Sequence, residues 1–300
     1  MANYLLMVCC FIAGFLLRYC NRIQEEGPAT INSILLFVTI PAVIIMSLHR
    51  IELHWDLIFP LAMPLLSFII GLLFCLLFWK LFQWPHEIFG SIAICVGIAN
   101  VGLIGIPMTY TFYGHPGFDI AVVCLNGLIL ALAFGAVPLA ILLTSRGAYG
   151  LKLFLEFLKD PLVIAMIIGL ASRPVPLPPL ITNIFQSIGA TFTPLALISI
   201  GSVFSLSAIH KYKSPLVFSL LLKMVLIPFA IFLLYRIILA KTGLRIDVAI
   251  FESAMPPALI GVIVIMEYKL EAEIAILILG AGTLMAFAIC PALWWLLRVI

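Results

Sequence analysis

Nine residues in this chain have types and spacing suited to chemistry in a place where little is expected. Asn100, Gly102, Gly105 and Pro107 fall within "NVGLIGIP", inside an apolar run from about 88 to 113. Glu252, Ser253, Pro256 and Pro257 fall within "ESAMPPA" in a second apolar run, and Lys223 lies in "LLLKMVLIP". A proline cannot donate to the carbonyl four residues back, so Pro107 strands the carbonyl of Leu103, and Pro256 and Pro257 strand those of Glu252 and Ser253. In hydrocarbon, such groups are tolerated only where they line a protein-buried cavity or bind something. Proline also suits the first position of a helix. Each run can therefore resume as a half-helix whose positive N-terminal end points at the bilayer midplane. Two such ends, with Asn100 and Ser253 beside them as neutral hydrogen-bonding groups, suit an anion such as a carboxylate. Gly and Pro also kink or pack membrane helices without any ligand; a pair of breaks, each beside a polar residue, favours a site.

Charge inside an apolar run is costly and marks a pathway or a pair. Lys223 has two readings: it holds the negative charge of a substrate, or it neutralises Glu252. Glu252 also has two: it carries a coupling proton, or it sits near the headgroups, a few residues past Asp247. Asn126, Gln186, Thr191, Thr193, Ser199 and Ser202 are weaker candidates, because such groups usually bond to a neighbouring helix.

The elements that must position these residues follow from composition. Of 300 residues, 65% are hydrophobic and 10% charged, with a mean hydropathy of +1.28. No soluble domain has this balance. A hydrocarbon core about 30 Å thick needs roughly 20 apolar residues per helix, and such runs recur along nearly the whole chain. Stretches such as "LLSFIIGLLFCLLFW" (65–79) are apolar on all sides, which excludes the alternation of a membrane β-barrel. The chain reads as an all-α polytopic membrane protein of about ten spans, near 3–18, 31–48, 57–79, 88–113, 119–144, 161–172, 181–206, 214–236, 246–266 and 272–297.

No basic cluster precedes the first run, while Arg18 and Arg22 follow it, so that span is expected to stay, with its N-terminus outside. Joints after odd-numbered spans hold nine Lys and Arg against six after even-numbered spans and in the tail, which favours both termini extracytoplasmic. The net charge of +3 then reflects orientation, not nucleic-acid binding. Six of the seven Cys lie in apolar spans, and all five His lie in joints or at span ends. No disulfide framework, zinc site, haem site or other cofactor is expected.

Laid on itself at an offset of 153 residues, "TIPAVII" around Pro41 falls on "FTPLALI" around Pro194, and "AFGAVP" (133–138) falls on "AFAICP" (286–291). One register pairs spans two with seven, four with nine and five with ten. Five spans per half is odd, so the second half would enter the membrane inverted, as in many secondary transporters. The expected repeats are 1–148 and 149–300, and Asn100 falls on Ser253.

Asn100, Gly102, Gly105 and Pro107 in span four, "LLLKMVLIP" in span eight, "TFTPLALISIG" (191–201) in span seven and "AMPPA" (254–258) in span nine together resemble the auxin efflux carrier family. The likeness runs over nearly the whole chain. It implies two inverted five-helix repeats, with spans one, two, six and seven as scaffold and the remaining six as a mobile core. Spans four and nine would cross at their prolines, with Asn100, Pro107, Pro256 and Pro257 at the crossover. The substrates it implies are organic anions such as auxin or malonate. Plant members often carry a long hydrophilic joint after span five and an acidic residue in span three. Here 145–160 is short and 57–79 has no acidic residue, which favours a small carboxylate and a prokaryote-like carrier of the cell membrane.

The expected function is therefore a permease moving a small organic anion by alternating access, with Glu252 as the coupling group. The alternative within transport is a sodium-coupled anion symporter of the bile acid type. An enzyme is not expected, since neither GxSxG, HExxH nor paired Asp occurs within the spans. A sensor would bring a soluble output domain, and the longest joint is about 16 residues. The partners expected are the carboxylate and the lipid bilayer, with a homodimer left open.

Overall fold

The computed structural model describes residues 2–24, 27–52, 54–144, 161–203 and 211–299. The expected repeat boundary at 148 and 149, the expected start of the sixth span within 151–160, and the basic residues Arg146, Lys152 and Lys159 lie outside the described residues. Among the described residues the regular elements are helices, apart from one isolated antiparallel bridge. The architecture is all-α.

In chain order the helices are α1 (Ala2–Tyr19), α2 (Gly27–Ile34), α3 (Ile40–Arg50), α4 (Ile58–Phe82), α5 (His86–Gly97), α6 (Ile106–Ala131) and α7 (Val137–Thr144). Then follow α8 (Pro161–Ala171), α9 (Pro179–Ala190), α10 (Phe192–Val203), α11 (Lys213–Leu221), α12 (Ile227–Phe232), α13 (Leu244–Ser253), α14 (Leu259–Glu267) and α15 (Ala272–Val299). Joined end to end, several form continuous apolar helices. Six are long and apolar enough to cross a membrane: Gly27–Arg50, Trp55–Phe82, Val101–Thr144, Pro179–Val203, Lys213–Ile238 and Ala272–Val299. Shorter apolar helices run over Tyr4–Tyr19, His86–Gly97 and Pro161–Ala171.

The 44 residues of Val101–Thr144 would measure roughly 66 Å as one straight helix, about twice the hydrocarbon thickness. Gly114 turns the chain there with φ 68° and ψ −160°, a backbone that glycine reaches without a Cβ clash. The turn falls in the expected joint between 113 and 119.

Four prolines share one local device. Wide π-type turns cover Leu35–Thr39, Val101–Gly105, Leu132–Ala136 and Leu222–Leu226, and each ends two residues before a proline: Pro41, Pro107, Pro138 and Pro228. A proline ring clashes with the carbonyl four residues back. Widening the preceding turn moves that carbonyl aside, and the ladder continues with bonds such as Ile106 N–H to the Val101 carbonyl. The helix therefore stays continuous through residues that would otherwise break it.

Close helix contacts rest on small residues. A Cβ at Gly14 of α1 would lie 2.1 Å from the Ile198 carbonyl oxygen, and one at Gly201 of α10 would lie 2.1 Å from the Phe11 carbonyl oxygen. The two backbones are thus in mutual contact, which van der Waals packing in lipid rewards. Gly127 of α6 meets the Leu61 carbonyl of α4 in the same way. Around the centre, α5, α6, α13 and α15 bury a continuous cluster that includes Ile94, Ile98, Phe251 and Ile278.

Candidate functional site

Two breaks meet inside this bundle. Helix α5 ends at Gly97, and Ile98 takes an extended backbone (φ −102°, ψ 104°). Helix α13 ends at Ser253, and Ala258 is extended at φ −82°, ψ 142°. The two unwound segments then hydrogen-bond to each other. Asn100 N–H donates to the Pro256 carbonyl at 2.7 Å, and Ala258 N–H donates to the Ile98 carbonyl at 2.9 Å. Ala99 and Pro257 form the antiparallel bridge. Each segment supplies the donors and acceptors that the other's broken helix lacks, as a low-dielectric interior requires.

Both chains resume as helices within two residues of that bridge, at Val101 and at Leu259. Their positive N-terminal ends therefore gather at one point. Asn100 caps the first: its Oδ1 accepts from Leu103 N–H at 3.1 Å, and its carbonyl accepts from Gly105 N–H at 2.9 Å. Its Nδ2 is buried and makes no hydrogen bond to the described residues.

The prolines differ in role from the expectation. Helix resumes at Val101, a turn and a half before Pro107, because the Asn100 cap and the wide turn satisfy the backbone first. Pro107 sits near the start of α6, and its own carbonyl accepts from Thr111 Oγ1 at 2.9 Å. Pro256 and Pro257 lie in the unwound segment itself. The carbonyl of Glu252 is not stranded, since Met255 N–H donates to it at 3.1 Å. That of Ser253 is met by Lys223 Nζ at 3.4 Å.

Glu252 is completely buried within the protein. Its Oε1 accepts from Thr109 Oγ1 at 2.5 Å, while Oε2 is without a hydrogen bond to the described residues. Gly105 makes room for that carboxyl: a Cβ there would lie 2.0 Å from Oε2. Lys223 is equally buried, within the wide turn Leu222–Leu226. Among the described residues its ammonium donates to the Ser253 carbonyl, so it does not neutralise Glu252 through an ion pair. Ser253 Oγ turns back to the Ile250 carbonyl at 2.6 Å, and Gly102 faces Leu125.

The structure thus gathers Asn100, Gly105, Glu252, Ser253, Pro256, Pro257 and Lys223 around the crossover, with Gly102 and Pro107 on the adjoining turns. Thr109 went unrecognised in the sequence reading; its signal is a hydroxyl two residues after Pro107 in an otherwise apolar run. Of the weaker candidates, Ser199 bonds to a neighbouring helix as expected, donating to Asn32 Oδ1 of α2 at 2.7 Å, whereas Ser202 and Thr191 turn back to their own helices, donating to the Ser199 carbonyl at 2.6 Å and the Ile188 carbonyl at 2.7 Å. Asn126 is half satisfied, donating to the Val122 carbonyl at 2.8 Å while its Oδ1 is orphaned.

Two cavities open on the face that carries Gly114 and Gly243. One, of about 580 Å³, is lined by Arg50, Glu52, His115, Asp119 and Arg245 among others. The second, of about 560 Å³, is largely apolar and includes Leu61, Val123, Asn126 and Met166. Ile51 and Leu57 line both.

A lipid-compatible bundle whose two broken helices are tied together in its interior, with buried polar groups at the junction, is the construction of a membrane transporter. The chain belongs to the membrane transport protein family, the auxin efflux carrier family, whose model matches residues 2–295. It is similar to an uncharacterized transporter of Methanocaldococcus jannaschii, 21% identical over 279 residues that cover 90% of each chain. It is also similar to an uncharacterized transporter of Methanothermobacter thermautotrophicus, 23% identical over 295 residues that cover 94% of this chain and 93% of that one. The protein is accordingly an integral, multi-pass membrane transporter acting on a small molecule.

Proposed function

We propose that the chain is a secondary active transporter that moves a small organic anion, a carboxylate, by alternating access. The observation that carries this reading is the crossover, where two helix N-termini converge beside Asn100 Nδ2, a buried donor without a hydrogen bond to the described residues. Donors and positive helix ends in a low-dielectric interior suit a carboxylate. Lys223 supplies the positive charge, and Ser253, Gly102, Gly105, Pro107, Pro256 and Pro257 shape the junction. Glu252 carries the coupling proton. A carboxylate at that depth without a counter-charge costs several kcal/mol, a cost that a proton removes.

In this reading the repeats 1–148 and 149–300 are inverted copies, spans one, two, six and seven form the scaffold, and the other spans move against it. Contact between α1 and α10, scaffold with scaffold, is consistent with that division. The protein lies in the cell membrane with both termini extracytoplasmic.

The test is uptake into proteoliposomes of labelled malonate, malate, lactate and indole acetate, with and without an imposed pH gradient. Accumulation of one acid driven by the gradient is expected. Accumulation only when sodium is supplied transfers the reading to a sodium-coupled symporter, and no movement of any acid overturns the anion assignment.

A further inference from the structure

The buried carboxyl of Glu252 needs a route to water, and the helix packed on it carries hydroxyls at Thr109 and Tyr113. Gly105, Thr109 and Tyr113 follow one another at intervals of four, so they share a face of the same helix. That face packs on α13. Gly105 adjoins Glu252 Oε2, Thr109 donates to Oε1 at 2.5 Å, and the Tyr113 ring meets the Phe251 ring edge-on at 5.3 Å. Tyr113 Oη is buried and makes no hydrogen bond to the described residues. Such a hydroxyl is costly unless it is paired at some stage of the working cycle.

The charged groups around Tyr113 define the two ends of the line. They are Asp247 and Glu252 from α13, Arg236 from the wide turn Leu233–Ile238, and Arg298 from α15, whose guanidinium lies 4.2 Å from the Trp294 ring centre. Asp247 stands in the first turn of α13 and is partly exposed, in an ion pair with Arg236 Nη2 at 2.5 Å. Around Glu252 itself stand Thr109, Tyr113, Cys124 and Cys290. Thiols and hydroxyls there offer it no fixed counter-charge. Among the described residues, Tyr113 is thus a phenol that interacts electrostatically with both the partly exposed carboxylate of Asp247 and the buried one of Glu252.

We propose that Tyr113, with Thr109, is the proton relay between Glu252 and the face of the membrane on which Gly114 and Gly243 lie. In each transfer the Tyr113 phenol gives its proton toward Glu252 while it takes one from the Asp247 side. One proton is delivered, and the phenol ends as it began. The relay rests on Glu252 being the coupling group, and it adds the direction from which that group is loaded.

The experiment applies a rapid pH jump to the full-length protein in lipid and follows the infrared carboxyl band that is lost in Glu252→Gln. In Tyr113→Phe the band should reach the same final amplitude as in wild type, but at a rate lower by about tenfold or more, as removal of a proton-transfer group produces. Thr109→Val, of nearly unchanged volume, should also slow the response. Equal rates in wild type and in both variants overturn the relay while leaving the coupling role of Glu252 intact. Absence of any Glu252-dependent band in wild type overturns the coupling role itself. If Tyr113→Phe fails to fold, the rate in Thr109→Val decides alone. A merely structural effect would change the amplitude and leave the rate.

Discussion

Gly105 and Glu252 occupy one space: a Cβ on Gly105 would lie 2.0 Å from Oε2, 2.8 Å from Cδ and 3.0 Å from Oε1 of the glutamate. The carboxyl is held between this bare stretch of backbone and the Thr109 hydroxyl. Gly105→Ala must therefore displace the carboxyl or push the wide turn away from α13. Overpacking of this kind costs about 1 to 3 kcal/mol. We expect a lower thermal midpoint in detergent, together with loss of gradient-driven uptake. An unchanged midpoint and normal uptake would show that the carboxyl is not fixed here during turnover.

Asn100 has a structural task and a proposed functional one, and they can be separated. Its Oδ1 caps the helix that resumes at Val101, while its Nδ2 is the buried donor. Asn100→Asp keeps the cap acceptor and removes the donor; Asn100→Ala removes both. Loss of a cap costs about 1 kcal/mol, so the alanine variant should fold with a slightly lower midpoint. Transport should be abolished in both. Normal turnover in either variant removes Asn100 from the substrate site.

The fold was legible because lipid imposes it: long apolar runs admit little but helices. The breaks were legible from Gly and Pro at mid-run. What the sequence did not disclose is how the breaks are satisfied. The bond from Asn100 to Pro256 links residues far apart in the chain, and no local pattern encodes it. The same holds for Thr109 and Glu252, which are 143 residues apart. Sequence left Glu252 between headgroup and core, and Lys223 between substrate and Glu252. Packing of α6 on α13 encloses Glu252 in protein, and the Ser253 carbonyl next to Lys223 removes the ion pair from the second. The wide turns before Pro41, Pro107, Pro138 and Pro228 show why those prolines bend helices without ending them.

Orientation can be read from one thiol. Cys20 is exposed just beyond the last turn of α1, whereas Cys75, Cys95, Cys124 and Cys290 are buried. With the N-terminus outside, Cys20 faces the cytoplasm. In a variant retaining only Cys20, a membrane-impermeant maleimide should label permeabilised cells and leave intact cells unlabelled. Labelling of intact cells reverses the orientation.

Lys223 gives the sharpest separation of stability from function. Its ammonium is fully buried, and its contact with the described residues is a single carbonyl at 3.4 Å. An ion held so deeply with so little compensation costs several kcal/mol. Lys223→Met keeps the length and the apolar stem while deleting that charge. The variant should therefore unfold at the same temperature as wild type or higher. If Lys223 holds the substrate's negative charge, the same variant should raise the KM for the transported acid by about tenfold or more, as loss of a charge-assisted contact of 1.5 to 3 kcal/mol implies. A stabilised protein with unchanged KM would leave the anion to Asn100 and the helix ends alone. A destabilised protein would mean that the ammonium is held by more than the Ser253 carbonyl, and so belongs to the architecture of the crossover.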